Sequence, residues 1–224
     1  AITIFVTAMI VFAFQDAITK HLSGVYAAPQ LLLVRFAVFA VVAVAINARG
    51  SGVAAGIRTG FRTRCFWLQI LRSLVIVGEI GFFILAVRTL PLADTHAIIA
   101  VSPLIVSALS IPLLGERVGL RRWAAVLVGF VGILIILRPS FRVVDIGMVY
   151  ALITAVLFAL YLVLTRIVSL KDGAGTSMLY MGAVGAAVTA AIAPFYWIPP
   201  DTVDWAFLLG LAALSTLAHL GLLR

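Results

Sequence analysis

The chain has 224 residues, 64% of them apolar and only 11% charged, with a mean hydropathy of +1.24. A soluble domain carries about 25% charge, so the composition excludes one and points to an integral membrane protein. Sixteen Lys and Arg against eight Asp and Glu give +8, but the charges lie scattered between apolar runs. That excludes nucleic acid as a partner, since it requires a clustered basic stripe.

A hydrocarbon core of roughly 30 Å takes about 20 apolar residues per helix. Hydropathy predicts eight such spans, at 2–22, 29–47, 66–88, 92–114, 120–137, 145–166, 176–197 and 204–223. They use 168 residues and leave 56 outside the bilayer, too few for a soluble catalytic domain. Barrel strands alternate apolar and polar over about ten residues, whereas 124–137 and 182–195 are continuously apolar. The expected fold class is therefore all-α, a polytopic membrane helix bundle. The apolar start is not read as a signal peptide: no basic segment precedes it, and Gln15, Asp16 and Lys20 stand where a small-residue cleavage site belongs. Without an initial Met, the chain is expected to begin inside a longer one.

Ionisable groups near the bilayer centre cost about 2.5–3.5 kcal/mol on insertion scales, so each should face protein or water. In span 1, Phe12, Gln15, Asp16, Thr19 and Lys20 form one helical stripe. Asp16 and Lys20 are an i,i+4 acid-to-base pair. Gln15, Asp16 and Lys20 are candidates for substrate or proton binding, the structural alternative being an ion pair near an interface. Span 3 places Glu79 thirteen residues after Phe66, near midspan, with Arg72 two turns earlier on the same face. A carboxyl there is a candidate proton- or cation-binding group, because desolvation raises its pKa toward neutrality. Arg72 joins it as a candidate, unless it or Arg35 merely neutralises the acid.

Span 4 shows His96, Ala100, Pro103, Ser107 and Ser110 along one stripe, and Pro103 frees the carbonyl of Ile99 from the helical ladder. Loosened backbone at that depth is tolerated where it lines a cavity or packs on protein, which makes His96 and Ser107 candidates. In span 5, Gly129 and Gly132 with Ala125 predict a close-packing seam, as do Gly182, Ala186 and Ala190 in span 7. Span 6 adds Tyr161 and span 8 adds Thr216 and His219. Most membrane hydroxyls bond only their own backbone or a neighbouring helix. Trp67, Trp197 and Trp205 fall at span ends, where an interfacial belt puts them.

Positive charge sets orientation. Ten Lys and Arg fall on the side of loops 2/3, 4/5, 6/7 and the last residue, and four on the other, with Arg35 and Arg72 inside spans. The N-terminus is expected to be cytoplasmic, in the inner (plasma) membrane.

Shifting the chain by 146 residues aligns Phe12, Ala13, Thr19 and Ser23 with Phe158, Ala159, Thr165 and Ser169. It also aligns Ala37, Val38, Ala40, Val42, Ala45 and Ile46 with Ala183, Val184, Ala186, Val188, Ala191 and Ile192. Twelve identities in 35 ungapped positions exceed the roughly four expected by chance, the mark of a repeat. Span 1 matches span 6, and a period of five spans makes the second copy enter from the opposite face. Inverted repeats suit alternating access around a midplane site. The expected division is a first five-helix repeat over 1–138 and a second, incomplete, over 139–224, with eight of ten helices present.

The segment from Phe83 to Pro139, with Leu90, Pro91, Leu92, Ala93 and Pro103, then Leu114, Gly115, Glu116 and Arg117, and the Gly129 and Gly132 spacing, resembles the EamA family of the drug/metabolite transporter superfamily. Arg35 and Phe36 look like that family's second helix. The resemblance implies ten helices in two inverted repeats, cytoplasmic termini, a central cavity, and movement of small organic metabolites without ATP hydrolysis. Gly115 suits a helix C-terminus, so the Leu-Gly-Glu-Arg signature reads as architectural.

The function expected is alternating-access transport of a small organic solute, with proton coupling through Glu79 or Asp16 and no cofactor. A second copy of the chain is kept open as a partner. The rival is a non-transporting scaffold whose polar residues only pack helices. No H-E-x-x-H, G-x-S-x-G or Gly-rich phosphate loop occurs, and no nucleophile stands beside a base, so an enzyme is not expected.

Overall fold

The computed structural model describes residues 2–48, 52–115, 119–137 and 146–222, with side chains for all of these but 2–9, 122, 133–134, 136–137 and 218–222. Every described element is helical: α1 (Ile2–Ser23), α2 (Ala28–Asn47), α3 (Val53–Gly60), α4 (Phe66–Thr89), α5 (Leu92–Ile99), α6 (Ser102–Leu114), α7 (Leu120–Leu137), α8 (Ile146–Ser169), α9 (Ala174–Ile192), a 3₁₀ turn (Ala193–Tyr196) and α10 (Thr202–Leu222). Among the described residues five segments are long and apolar enough to cross a bilayer: Ala28–Asn47, Phe66–Thr89, Leu92–Leu114, Ile146–Ser169 and Ala174–Tyr196.

Burial follows membrane logic. Large apolar side chains point outward, with Val41 69%, Val128 73%, Ile135 67% and Leu217 61% exposed, while Gln30, Gln69, Ser73 and Thr154 are fully buried. Lipid makes no demand that apolar groups turn inward, but every polar group must find its partner inside the protein. The protein is a multi-pass membrane helix bundle.

Three features depart from the predicted spans. Loop 2/3 contains the short helix α3, which starts after Gly52 at φ +81°. It docks closely on the end of α2: a Cβ on Gly56 would lie 2.6 Å from the Ala48 Cα. Span 4 is two helices. Pro103 stands in the first turn of α6, after a break at Ala100 and Val101, rather than inside one continuous helix. The freed Ile99 carbonyl is not left open, since the Ser102 hydroxyl donates to it at 2.6 Å and also reaches the Ala155 carbonyl of α8 at 3.2 Å. Span 7 ends in the 3₁₀ turn.

Gly115 closes α6 in the left-handed region at φ +67°, its N–H bonded to Ile111 O, as the sequence anticipated. Glu116 and Arg117 lie outside the described residues.

The chain forms two compact units, one of 1–74 with 171–224 and the other of 75–170. In the first, α2 and α9 run antiparallel in close register, Phe36 against Gly185, Ala40 against Gly182 and Asn47 against Gly175. The glycines permit that approach: a Cβ at Gly182 would meet the Ala40 Cα at 2.7 Å. Of the predicted span 7 seam, Gly182 meets α2, while Ala190 is exposed, and the close approach continues through Gly185 and Gly175 instead. The span 5 seam has no such contact: a Cβ at Gly129 or Gly132 meets nothing within 4 Å among the described residues. Small residues permit approach only where a partner helix comes, and at these two positions of α7 none of the described residues does. In the second unit α5 and α6 pack on α8 and α7, with Ala86, Leu90 and Ala151 at the core of one cluster.

Candidate functional site

Polar groups in the first unit collect in three places. The first is the face of α1. Gln15 is buried, 4% exposed, and its Oε1 is enclosed with no donor among the described residues. The Thr19 hydroxyl donates instead to the Gln15 backbone carbonyl at 2.8 Å. Asp16 and Lys20 are half-buried, each with an interaction partner. The neighbour is α10, antiparallel, with the His21 ring 5.5 Å from Phe207. That register brings Thr216 within about a turn of the level of Gln15. Thr216 is buried and donates to Ala212 O at 2.8 Å, within its own helix. The His219 side chain lies outside the described residues.

The second is a node at one end of α4 and α9, centred on Asp172. Its carboxylate accepts from the Arg64 N–H at 3.0 Å, from the Thr63 hydroxyl, from Gln69 Nε2 at 2.9 Å and from the Cys65 thiol at 3.2 Å. Burial raises the Asp172 pKa, but these four donors outweigh it and hold the carboxyl down at about 2. The Cys65 thiol is pushed up, by burial first and then by its bond to Asp172. Behind the node, the Arg72 guanidinium donates to Ser177 O at 2.6 Å and to Gln69 Oε1 at 3.4 Å. Asn47 Nδ2 donates to Gly175 O at 3.1 Å. Arg72 is thereby a strut between α4 and α9.

At the other end of the α2 and α9 pair, Tyr26 donates to Asp204 at 2.5 Å, and the Gln30 amide both donates to Ile198 O at 2.7 Å and accepts from Ile198 N at 3.0 Å. The bond to Asp204, with burial, pushes the Tyr26 hydroxyl up to about 12.

The second unit holds Glu79, His96, Ser107 and Tyr161. Glu79 and Tyr161 are half-buried with partners, and Ser107 is buried with its carbonyl accepting from Ser110 at 2.9 Å. His96 does not share that burial. The break after α5 turns it outward, where it is exposed and its ring stands 5.8 Å from Phe83. The predicted stripe from His96 to Ser110 assumed one straight helix, and the break ends it. Thr165 Oγ1, the repeat counterpart of Thr19, is buried without a partner among the described residues.

Sequence reading missed Asp172, Gln69, Ser177, Tyr26, Gln30 and Asp204 as site residues. Gln30 and Gln69 carried a signal, being amides within apolar runs. The Asp172 node carried none, since its donors lie more than 100 residues away in sequence. Among the described residues no three His, Cys, Asp or Glu stand close enough to hold a metal. Chemically the arrangement offers two satisfied polar clasps at opposite ends of α2 and α9 and, in α1 of the same unit, a buried amide oxygen with no donor among the described residues.

Comparison with known proteins agrees with this architecture. A riboflavin transporter of Vibrio cholerae is 27% identical over 217 residues, 95% of this chain and 71% of that protein. The pseudopaline exporter CntI of Pseudomonas aeruginosa is 26% identical over 224 residues, 98% and 75%. An S-adenosylmethionine uptake transporter of Rickettsia prowazekii is 22% identical over 151 residues, 67% of this chain, but this chain spans only about half, 51%, of that protein's length. One crystal structure, 20% identical, superimposes with a TM-score of 0.66 over 96% of this chain and 77% of the other, which speaks for the fold. The model of the EamA-like transporter family matches residues 1–138, more than half the chain, and with the helix order above it shows that this protein belongs to that family.

Proposed function

We propose that this chain moves a small polar organic metabolite across the bacterial inner membrane by alternating access, its N-terminus cytoplasmic, and that it is not an enzyme. The observation that carries the reading is Gln15. A buried amide oxygen without a donor costs about 1–3 kcal/mol, and in a membrane span water cannot routinely relieve it. A ligand N–H or O–H reaching α1 would satisfy it. Family membership gives the class of activity, and the named relatives carry three different metabolites in two directions. They support the class and leave the individual substrate to be identified.

The α2 and α9 pair supports the inverted repeat over 1–138 and 139–224. Its register, Phe36 to Gly185 and Ala40 to Gly182, is centred where Val38 comes level with Ala183 and Val184. Val184 is the residue that the 146-residue shift assigns to Val38. Where a helix crosses its own counterpart on a two-fold axis in the membrane plane, the residues that the repeat matches come level at the crossing.

The test is ligand-induced thermal stabilisation of the detergent-purified chain across a metabolite panel that includes riboflavin and S-adenosylmethionine. A binding protein gains stability with ligand, and Gln15→Leu is expected to raise the unliganded Tm while weakening the ligand response about tenfold. A Gln15→Leu variant that responds as the parent does would remove Gln15 from the site. A panel without any response would favour the scaffold reading.

A further inference from the structure

The basic corner formed by α3 and the start of α4 has no role in the reading above. Arg58, Arg62 and Arg64 are all exposed there, and none of their guanidinium groups has a carboxylate partner among the described residues. Two open hollows meet at Arg62. One, of about 510 Å³, lies along α3 beside Arg58 and Thr59. The other, of about 530 Å³, is bounded by Arg62, Arg64 and a wall of Phe61, Phe66 and Tyr180. Contacts tie that wall together: Tyr180 packs edge-on against Phe61 and Phe66, at 5.2 and 6.1 Å between centroids, and its hydroxyl donates to Phe61 O at 3.1 Å.

The hollow opens where a membrane span begins. From its rim, Trp67, Leu71 and Leu74 run down one face of α4 at i, i+4 and i+7, exposed by 78%, 46% and 43%. Cations above an apolar track match a molecule with an anionic head and a long hydrocarbon tail. Asp172 nearby is the opposing charge. It already accepts four hydrogen bonds, one of them from the backbone N–H of Arg64, and the segments that meet there, 58–64 and 171–172, carry four cations, Arg58, Arg62, Arg64 and Lys171, against this one acid.

We propose that this corner is a binding site for an anionic phospholipid, its phosphate held by Arg62 and Arg64 in the aromatic-walled hollow and an acyl chain lying along Trp67, Leu71 and Leu74. A basic pocket at a membrane interface attracts anionic lipid by about 1 kcal/mol per cation, so the two arginines together set roughly a thirtyfold preference. The site tethers α3 to the bilayer surface. It is independent of the substrate reading, because neither Gln15 nor Glu79 contributes to it.

The test adds phosphatidylglycerol, phosphatidylcholine or inorganic phosphate to the detergent-purified full chain and follows Tm. Phosphatidylglycerol should raise Tm where the other two do not. Arg62→Gln/Arg64→Gln should need about thirty times more of it, while Arg121→Gln, at an exposed arginine elsewhere, should respond as the parent. In the unmodified protein, brominated phosphatidylglycerol should quench tryptophan fluorescence more than brominated phosphatidylcholine, and Trp67→Phe should remove that excess. Equal effects of the two lipids, an equal effect of free phosphate, or an undiminished response in the double variant would overturn the proposal.

Discussion

Gly185 faces the ring of Phe36 so closely that a methyl group on it would fall 2.5 Å from two ring carbons. Phe36 is only 2% exposed and has nowhere to turn. Three residues away on α9, Gly182 meets the backbone of Ala40, which can move even less. Gly182→Ala and Gly185→Ala are each expected to destabilise the protein by about 1–3 kcal/mol through overpacking. Gly129→Ala, into open space on α7, should be neutral or stabilise by up to about 1 kcal/mol. Thermal denaturation in detergent separates the two classes. An unchanged Tm in both α9 variants would mean the helices do not sit this close.

The Asp172 node makes stability fall in acid. A carboxyl held at about 2 when folded and near 3.9 when unfolded contributes stability that is full above about pH 4 and lost as pH falls toward 2. Asp172→Asn should cost about 1–2 kcal/mol at pH 7, after discounting for its partial exposure, and should flatten the Tm profile in that window. The variant should also expose Cys65, the protein's one cysteine, to faster alkylation. Parental alkylation rates and a parental acid profile would show the node to be decoration.

At the opposite end the sign reverses. The Tyr26 hydroxyl is raised to about 12, so the neutral phenol is favoured in the fold. That stability is present below about pH 10 and lost as pH rises through 12. Ultraviolet titration of the five tyrosines should show a late-ionising phenol that Tyr26→Phe removes and Asp204→Asn shifts down toward 10.

Glu79 is the remaining acid of the transport reading. Transport assayed from pH 5.5 to 8 should lose its pH dependence in Glu79→Gln while membrane insertion is unaffected. A variant that keeps the parental pH profile would leave Glu79 a packing residue.

Much of this protein was legible in one dimension. Composition required a membrane bundle, because a chain this poor in charge cannot coat a soluble surface. The predicted helix limits hold to within a few residues, because an apolar run of about 20 residues has few other stable fates in lipid. Gly115 as a helix end and the Gly182 seam were readable for local reasons, one from backbone freedom and the other from spacing.

Folding decided what spacing could not. Periodicity assumes a straight helix, so it put His96 on the face of Ser107 until the break at Ala100 turned it out. It also could not tell that α9's glycines meet α2 while, among the described residues, nothing meets Gly129 and Gly132 of α7. The Asp172 node is the clearest case: Thr63, Cys65 and Gln69 lie more than 100 residues from their acceptor. A hydrogen bond is a relation in space, and only chain closure brings its two ends together.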